Sequence, residues 1–241
     1  MRRALPYTGL AGVGVIWTTL LAATAASGFD LFGDLPLSYV GTEPGSALLF
    51  TAGMAATALL LVAFHGHVRA RFDVSWGFSV AMLVGLAGQL VAAFVPVGGD
   101  TVAHRVHTVS ALVLGASLPL LMWRFAAALP RGRRRRAGYR LFWAEVAACA
   151  AGFYLSAMGV AAVAEVLPAA AFHAWVVTVT FWGLDRSRAG RVAPRPQNTG
   201  NGKTYEDRRH HRAGVGRPGH ARPADGRGHE HGAALPGPRA G

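Results

Sequence analysis

The residues whose types and spacing could support chemistry lie near the middle of the chain, in the stretch VPVGGDTVAHRVHT, residues Val95 to Thr108. Asp100, His104 and His107 fall within one or two helical turns of each other. In a helix that begins next to Asp100, the two histidines share one face. Two imidazoles and a carboxylate at this spacing could bind zinc, and His173, farther along the chain, could complete a tetrahedral ligand set.

Two other interpretations of the same stretch compete with a metal site. Asp100 is a natural N-cap, because its carboxylate can accept hydrogen bonds from the unpaired backbone N–H groups at a helix start. The HxxH spacing also lacks the glutamate of the HExxH zinc motif, whose histidines are four residues apart. A proton- or ligand-responsive site is the third interpretation, since histidine titrates near neutral pH.

The candidate ligand-binding set comprises polar residues of the first and third predicted loops and one residue of the last helix: Ser38, Asp100, His104, His107 and His173. In the alternative metal site, zinc would be bound by His104, His107 and His173. We assign no catalytic residue, and the sequence favours a protein without a cofactor. It contains no Walker loop, dinucleotide-binding fingerprint or GxSxG motif.

The elements that position these residues are six apolar segments, in a chain of 241 residues that is 52% hydrophobic. A helix that spans a lipid bilayer needs about 20 mostly apolar residues. The Glu165–Pro168 stretch (EVLP) is expected to separate the last two segments, with its proline in the first turn of a helix. The sequence predicts an all-α polytopic transmembrane bundle with spans at Leu5–Gly28, Ser46–Phe64, Trp76–Val95, Val106–Ala128, Leu141–Val163 and Val166–Leu184.

The distribution of basic residues predicts how the spans face. Loops rich in Lys and Arg stay in the cytoplasm. The N-terminus, the second loop, the fourth loop (Arg131 to Arg140) and the region after Leu184 are basic, whereas the first, third and fifth loops contain one basic residue, Arg105. Both termini are therefore predicted to be cytoplasmic, in a multi-pass protein of the inner (plasma) membrane. Tryptophans near the predicted helix ends, among them Trp175, are interpreted as interfacial anchors.

The first apolar segment has a second interpretation. Arg2 and Arg3, the apolar run that follows and the small residues from Ala22 to Ser27 also resemble a cleavable signal peptide. The apolar run is longer than most signal-peptide cores. The sequence therefore favours an uncleaved first span, and cleavage would leave five spans that face the same way.

The chain is predicted to have two parts, a transmembrane domain at residues 1–184 and a disordered basic tail at residues 185–241. The tail is rich in Arg, Gly, Pro and His and carries a net charge of +7 from 12 basic and 5 acidic residues. Such a composition buries too little apolar surface to offset chain entropy. The expected partners are the lipid bilayer and anionic lipids, which would bind the basic fourth loop and the tail. Nucleic acid is not expected, because no aromatic residues interleave with the loop arginines.

Two further polar groups stand in or near the apolar segments. Glu145 lies one turn into the fifth span, close enough to the basic loop that a structural ion pair with Arg140 or Arg124 is expected. His65 and His67 lie at the predicted cytoplasmic end of the second span and are expected at the interface.

Two stretches carry a family resemblance. The first is LSYVGTEPGSALLFTAGMAATALLLVAF (Leu37 to Phe64), with a Ser-x-x-Gly turn, a proline, and then Phe50 and Gly53 in the second helix. The second is GLAGQLVAAFVPVGGDTVAHRVHTVSALVLG (Gly85 to Gly115), in which a helix ends in a Phe-x-Pro turn and a histidine-containing segment opens the next helix. Together they resemble a bacterial six-helix membrane family known as domain of unknown function 998.

The resemblance covers about residues 5–184. It implies six helices and a membrane location, and it brings no activity or catalytic residues with it. It also implies that the first and third outer loops pack on each other through the polar turns that match the family pattern: Ser38, Tyr39, Gly41, Asp100, His104 and His107.

The sequence favours a non-enzymatic membrane protein that binds or senses a lipid or small amphiphile at the outer face. One alternative is a metal-dependent intramembrane hydrolase that uses the outer Asp/His cluster, loosely similar to ceramidase-like enzymes. Those enzymes have seven helices and paired histidines late in the chain, which this sequence lacks. A small transporter or transporter subunit ranks third, because few charged residues lie near the bilayer midplane and no inverted repeat is visible.

Overall fold

A computed structural model describes residues 5–95, 97–98 and 100–192, with side chains as far as Asp185. These residues form six α-helices and two short 3₁₀ helices, at Leu5–Tyr7 and Leu37–Gly41. The described ranges contain no β-strand. The α-helices are α1 Thr8–Ser27, α2 Ala47–Arg71, α3 Trp76–Phe94, α4 Thr101–Ala128, α5 Arg133–Ala157 and α6 Ala161–Val192.

Five of the helices, all but α5, are long and apolar enough to cross a membrane. These helices indicate a multi-pass membrane protein. The all-α prediction is confirmed, and each predicted span coincides with most of one helix. The helix α5 differs from the predicted fifth span because it begins at Arg133, so that the arginines of the predicted loop form its first turn.

The turn between α5 and α6 lies earlier in the chain than predicted. Gly159 has a left-handed φ of 80°, and the N–H of Val160 donates to the carbonyl of Leu155 at 2.9 Å. This is the Schellman arrangement that ends many helices, and it needs the glycine. Pro168 instead lies inside α6. The prediction that the Glu165–Pro168 stretch separates the last two spans is therefore wrong, and Glu165 belongs to a helix rather than a loop.

Helices that follow one another in the chain also pack on one another, and α6 contacts α1, α2 and α4 as well. Small residues permit the closest approaches. A Cβ atom at Gly9 of α1 would lie only 2.7 Å from Thr180 Oγ1 of α6, and one at Gly88 of α3 would lie 2.8 Å from the Ser110 carbonyl of α4. The contact between α1 and α6 joins the first and last helices of the described bundle.

An aromatic core fills the middle of the bundle. Trp175 of α6 is completely buried, and its ring makes edge contacts with Phe64 at 6.1 Å and Phe125 at 5.4 Å between ring centroids. The interpretation of Trp175 as an interfacial anchor is therefore wrong. Its helix turns that ring toward α2, α3 and α4, where it contributes to the core. Trp76, by contrast, is 78% exposed at the start of α3.

Two predictions fall wholly or partly on residues outside the described ranges. The predicted basic tail begins at residue 185, and α6 continues to Val192, past the predicted end of the last span at Leu184. The remainder of the tail, from residue 193, lies outside the described residues, as do Arg2 and Arg3 of the possible signal peptide.

Candidate functional site

The polar residues of the third loop hold the junction between α3 and α4 together. Asp100 is the N-cap of α4, and its carboxylate accepts a hydrogen bond from the Ala103 N–H at 2.7 Å. His104 Nδ1 lies 2.9 Å from the Val97 carbonyl, and His107 Nδ1 lies 2.8 Å from the Val95 carbonyl. A carbonyl only accepts, so both imidazoles carry their proton on Nδ1 and donate it.

The His107 bond provides a partner for a carbonyl that a helix end leaves unpaired, whereas the His104 bond fixes the loop that follows. Val95 is the C-cap of α3, so His107 bonds the last carbonyl at that end. His107 is 6% exposed, whereas His104 is exposed to its surroundings. The structure thus gives Asp100, His104 and His107 the capping role that was one of the interpretations of this stretch.

The first loop is joined to the last helix through Glu165. Its Oε2 atom accepts a hydrogen bond from the Ser38 N–H at 3.2 Å, at the start of the 3₁₀ helix Leu37–Gly41. A carboxylate at that position satisfies a backbone donor and complements the positive end of the helix dipole. Ser38 takes part in this bond through its backbone N–H. The Ser38 hydroxyl, which the sequence offered as a candidate ligand-binding group, is not used in it.

The first and third loops contact each other, as the family resemblance implies. A Cβ atom at Gly98 would lie 3.8 Å from Thr42 Cγ2, in ordinary van der Waals contact. Nearby, the Thr51 hydroxyl of α2 donates to the Ala93 carbonyl of α3 at 3.2 Å. The start of α2, the end of α3 and the start of α4 are therefore held in one assembly.

His173 has different surroundings from the histidines of the third loop. Its ring packs edge-on against Trp17 of α1, with 5.8 Å between the ring centroids. Within the described part of the chain, no three His, Cys, Asp or Glu side chains are arranged to hold a metal ion. His104, His107 and His173 therefore do not form the three-ligand group that the zinc alternative requires.

A cavity of about 110 Å³ lies where His173 faces the centre of the bundle. Five helices contribute to its wall: Ile16 from α1; Met54, Thr57 and Leu61 from α2; Met82, Gly85, Leu86 and Gln89 from α3; Leu114, Ser117, Leu118 and Leu121 from α4; and Ala169, Phe172 and His173 from α6. We call this space the central cavity. Its wall is mostly apolar, with four polar side chains.

Three of those four polar side chains already donate to backbone carbonyls. Gln89 Nε2 donates to Met54 at 2.9 Å, the Ser117 hydroxyl to Leu114 at 2.7 Å, and the Thr57 hydroxyl to Gly12 at 3.4 Å. His173 differs. It is 8% exposed, and its Nδ1 atom is buried without a hydrogen-bond partner among the described residues.

An unpaired polar atom in such a place calls for an explanation, since burying one without a partner costs about 1–3 kcal/mol. His173 also lines the central cavity. The sequence singled out His173 but assigned it to the outer-face cluster, because the predicted sixth span began at Val166. With α6 starting at Ala161, His173 lies more than three turns into the helix. Gln89, a polar residue in an apolar run, is the sequence signal that was missed.

The buried Glu145 and the half-buried Cys149 form a separate pair in α5. Glu145 is completely buried, and its Oε1 accepts a hydrogen bond from the Cys149 thiol at 3.7 Å. Its Oε2 has no partner among the described residues. The expected ion pair with Arg140 or Arg124 is wrong, because both arginines are exposed while Glu145 points into the bundle.

His65 and His67 are also buried, at 9% and 4% exposure, rather than lying at the interface. His65 Nε2 lies 3.0 Å from the Ser79 hydroxyl of α3. His67 packs against Gly183 of α6, where a Cβ atom would come within 2.7 Å of its Nε2 atom. The two histidines help to fix α2 against α3 and α6.

Comparisons with known proteins return one match. No curated protein and no solved structure matches the chain. A family model described as "Protein of unknown function (DUF998)" matches residues 10–182, which include the central cavity, the α3–α4 junction and all but the ends of the six helices. The match covers more than half of the chain, so the protein belongs to the DUF998 family of unknown function.

Proposed function

We propose that this protein is a non-enzymatic membrane protein that binds a small amphiphile in the central cavity, with His173 as the group that recognises it. The observation that carries the proposal is the buried, unpartnered Nδ1 atom of His173 on the wall of a largely apolar cavity. Binding sites for small molecules combine an apolar wall with a few polar groups that fix orientation. The central cavity has that composition.

The size and lining of the cavity indicate the ligand class. An apolar cavity of roughly 150 Å³ holds a benzene-sized molecule, so the 110 Å³ measured here suits a slightly smaller molecule or one end of a longer one. One unpaired imidazole nitrogen suits one hydroxyl or carbonyl group. The ligand is therefore a mostly apolar molecule with a single hydrogen-bonding group.

The proposed ligand lies inside the helix bundle rather than at the outer face. Asp100, His104 and His107 use their hydrogen-bonding groups to cap helix ends. His173 has a free nitrogen. The interior cavity therefore has more capacity for a ligand than the outer cluster. No geometric observation favours the metal-dependent hydrolase or the transporter.

The proposal includes a topology in which α5 is a sixth span and both termini are cytoplasmic, in a plasma membrane. The support is the positive-inside pattern of the loops together with the packing of α5 against α4 and α6. Six spans return the chain to the side on which it began.

A photoactivatable short-chain alcohol tests the cavity. A diazirine-bearing butanol is added to the purified full-length protein and activated by light, and the labelled residues are mapped by mass spectrometry. We expect labels on the cavity-lining parts of α1 to α4 and α6. His173→Phe should lower labelling about fivefold, the equivalent of one lost hydrogen bond of about 1 kcal/mol.

Three controls make the result decisive. The matched diazirine without a hydroxyl group should label wild type weakly and be insensitive to His173→Phe. Ala169→Leu narrows the cavity and should reduce labelling by both probes, whereas His104→Ala should reduce neither. Labelling by the alcohol that is unchanged in His173→Phe and Ala169→Leu would refute the proposal.

A further inference from the structure

A second concave surface lies on the outside of the bundle between α4 and α5. It is an open groove of about 500 Å³, and its lining is apolar and aromatic. Trp123 is 40% exposed and Trp143 is 63% exposed, so the rings of the groove face the surroundings of the protein. We call it the α4–α5 groove, and its lining residues are Ala116, Pro119, Leu120, Trp123, Tyr139, Phe142 and Trp143.

The shape of the groove follows from the small side chains on α4. Ala116 and Pro119 are short, while the aromatic rings of α5 stand beside them. From Ala116 to Trp123 the groove follows α4 for about 10 Å, at 1.5 Å per residue. Trp123 is the last α4 residue of the lining, toward the end of α4 that leads into the basic loop. An acyl chain lying along α4 would fit these dimensions.

Two arginines lie directly over rings that line the groove. The guanidinium carbon of Arg124 is 4.8 Å from the centre of the Trp123 ring, and that of Arg135 is 5.8 Å from the centre of the Tyr139 ring. Both are cation–π distances. The apolar groove is therefore bordered by positive charge at the end nearest the α4–α5 loop.

The positive charge at that end is largely uncompensated. Among the arginines around the α4–α5 loop, Arg134 pairs with Asp185 at 3.4 Å. The first turn of α5 contains no acidic residue, although the positive end of a helix dipole favours acidic groups there. An anion would be favoured beside the other arginines at this end of the groove, namely Arg124, Arg131, Arg133, Arg135, Arg136 and Arg140.

We propose that the α4–α5 groove binds one anionic phospholipid, with an acyl chain along α4 and the phosphate beside Arg124 and Arg135. Charge complementarity selects this occupant, since an apolar groove that ends in arginines lying over aromatic rings matches an acyl chain that ends in a phosphate. The site is separate from the central cavity. Phospholipid binding in the α4–α5 groove therefore does not depend on ligand binding in the central cavity.

Native mass spectrometry of the full-length protein tests this proposal. The protein is transferred from detergent after incubation with either phosphatidylglycerol or phosphatidylcholine of identical acyl chains. We expect one retained phosphatidylglycerol per protein and at least about tenfold weaker retention of phosphatidylcholine. The double variant Arg124→Gln/Arg135→Gln should abolish the preference, on the order of a tenfold loss for phosphatidylglycerol alone.

Two variants separate the groove from general electrostatics. Arg69→Gln/Arg105→Gln removes the same charge from two exposed positions outside the groove and should leave retention unchanged. Leu120→Trp fills the groove, and it should reduce retention of both lipids while the protein remains folded by circular dichroism.

Three results would overturn the proposal. One is equal retention of the two lipids by the wild-type protein, and another is an equal loss of preference in the two arginine variants. The third is a lipid-free dimer that dissociates in Leu120→Trp, because a second copy of the chain would then be the occupant of the groove.

Discussion

At the scale of single residues, the polar side chains of the α3–α4 junction stabilise the fold. His107 donates from Nδ1 to the Val95 carbonyl, which the end of α3 leaves without a helical partner, and His104 donates from Nδ1 to the Val97 carbonyl in the loop that follows. The difference between them is burial, because His107 is 6% exposed and His104 is exposed. When the donor that is removed occupies a buried position, water cannot easily replace it.

Removal of the His107 imidazole should therefore destabilise the protein. We expect His107→Ala to lower the free energy of unfolding by about 1–3 kcal/mol, because the Val95 carbonyl is left unpaired. Thermal unfolding in detergent, followed by circular dichroism, measures the change. His107→Asn should recover part of the loss, since its amide can donate from a similar position.

The matched control is His104→Ala. Its carbonyl partner, Val97, is itself buried at 5% exposure, but the imidazole that donates to it is exposed. We expect a loss below about 1 kcal/mol. Equal effects of the two alanine variants would contradict the explanation by burial.

At the scale of elements, a proline and two glycines set the geometry of α5 and α6. Pro168 has no N–H, so the carbonyl of Ala164, four residues earlier, lacks its usual helical partner. That carbonyl faces Gly152 of α5, where a Cβ atom would lie only 2.6 Å away. Gly159 ends α5 in a left-handed turn. The two helices can therefore approach closely near the turn of their hairpin.

A methyl group at the contact should separate the two helices. Gly152→Ala is expected to lower the free energy of unfolding by about 1–3 kcal/mol, because backbone rather than a flexible side chain blocks the new Cβ atom. Thermal unfolding in detergent measures it. Gly115→Ala is the matched control, since nothing lies within 4 Å of a Cβ atom there. A neutral Gly152→Ala would show that the hairpin is looser than the structure indicates.

At the scale of the whole molecule, α5 decides the topology. Five helices are long and apolar enough to span a membrane, and α5, with arginines in its first turn, is the remaining helix of the described chain. If α5 also crosses, the loops before and after it lie on opposite sides. If it does not, they share a side, and the two chain termini lie on opposite sides.

Cysteine labelling in intact cells distinguishes these topologies. In a Cys149→Ser background, single cysteines replace Asp34, Asp73, Arg131 or Met158, all of which are exposed. We expect a membrane-impermeant maleimide to label positions 34 and 158 directly, and positions 73 and 131 only after permeabilisation. Labelling of 131 and 158 from the same side would contradict a sixth span.

The sequence by itself determined the features that depend on local composition. Runs of apolar residues determine the helices, because lipid or a protein core is the only favourable environment for such lengths of apolar surface. Asp100 before a helical segment predicted the N-cap, because the unpaired N–H groups that it satisfies belong to the next few residues.

Only the tertiary structure decided which polar groups have partners. Whether the turn lies at Gly159 or near Pro168 moves the start of α6 between Ala161 and Val166, about 1.4 turns, and local composition permits both. That shift moves His173 from the outer face to the central cavity. Hydrogen-bond partners such as Val95 for His107 are backbone groups, and backbone groups carry no sequence signal. The absence of a partner for His173 Nδ1 among the described residues therefore follows from the packing of the helices and not from the sequence.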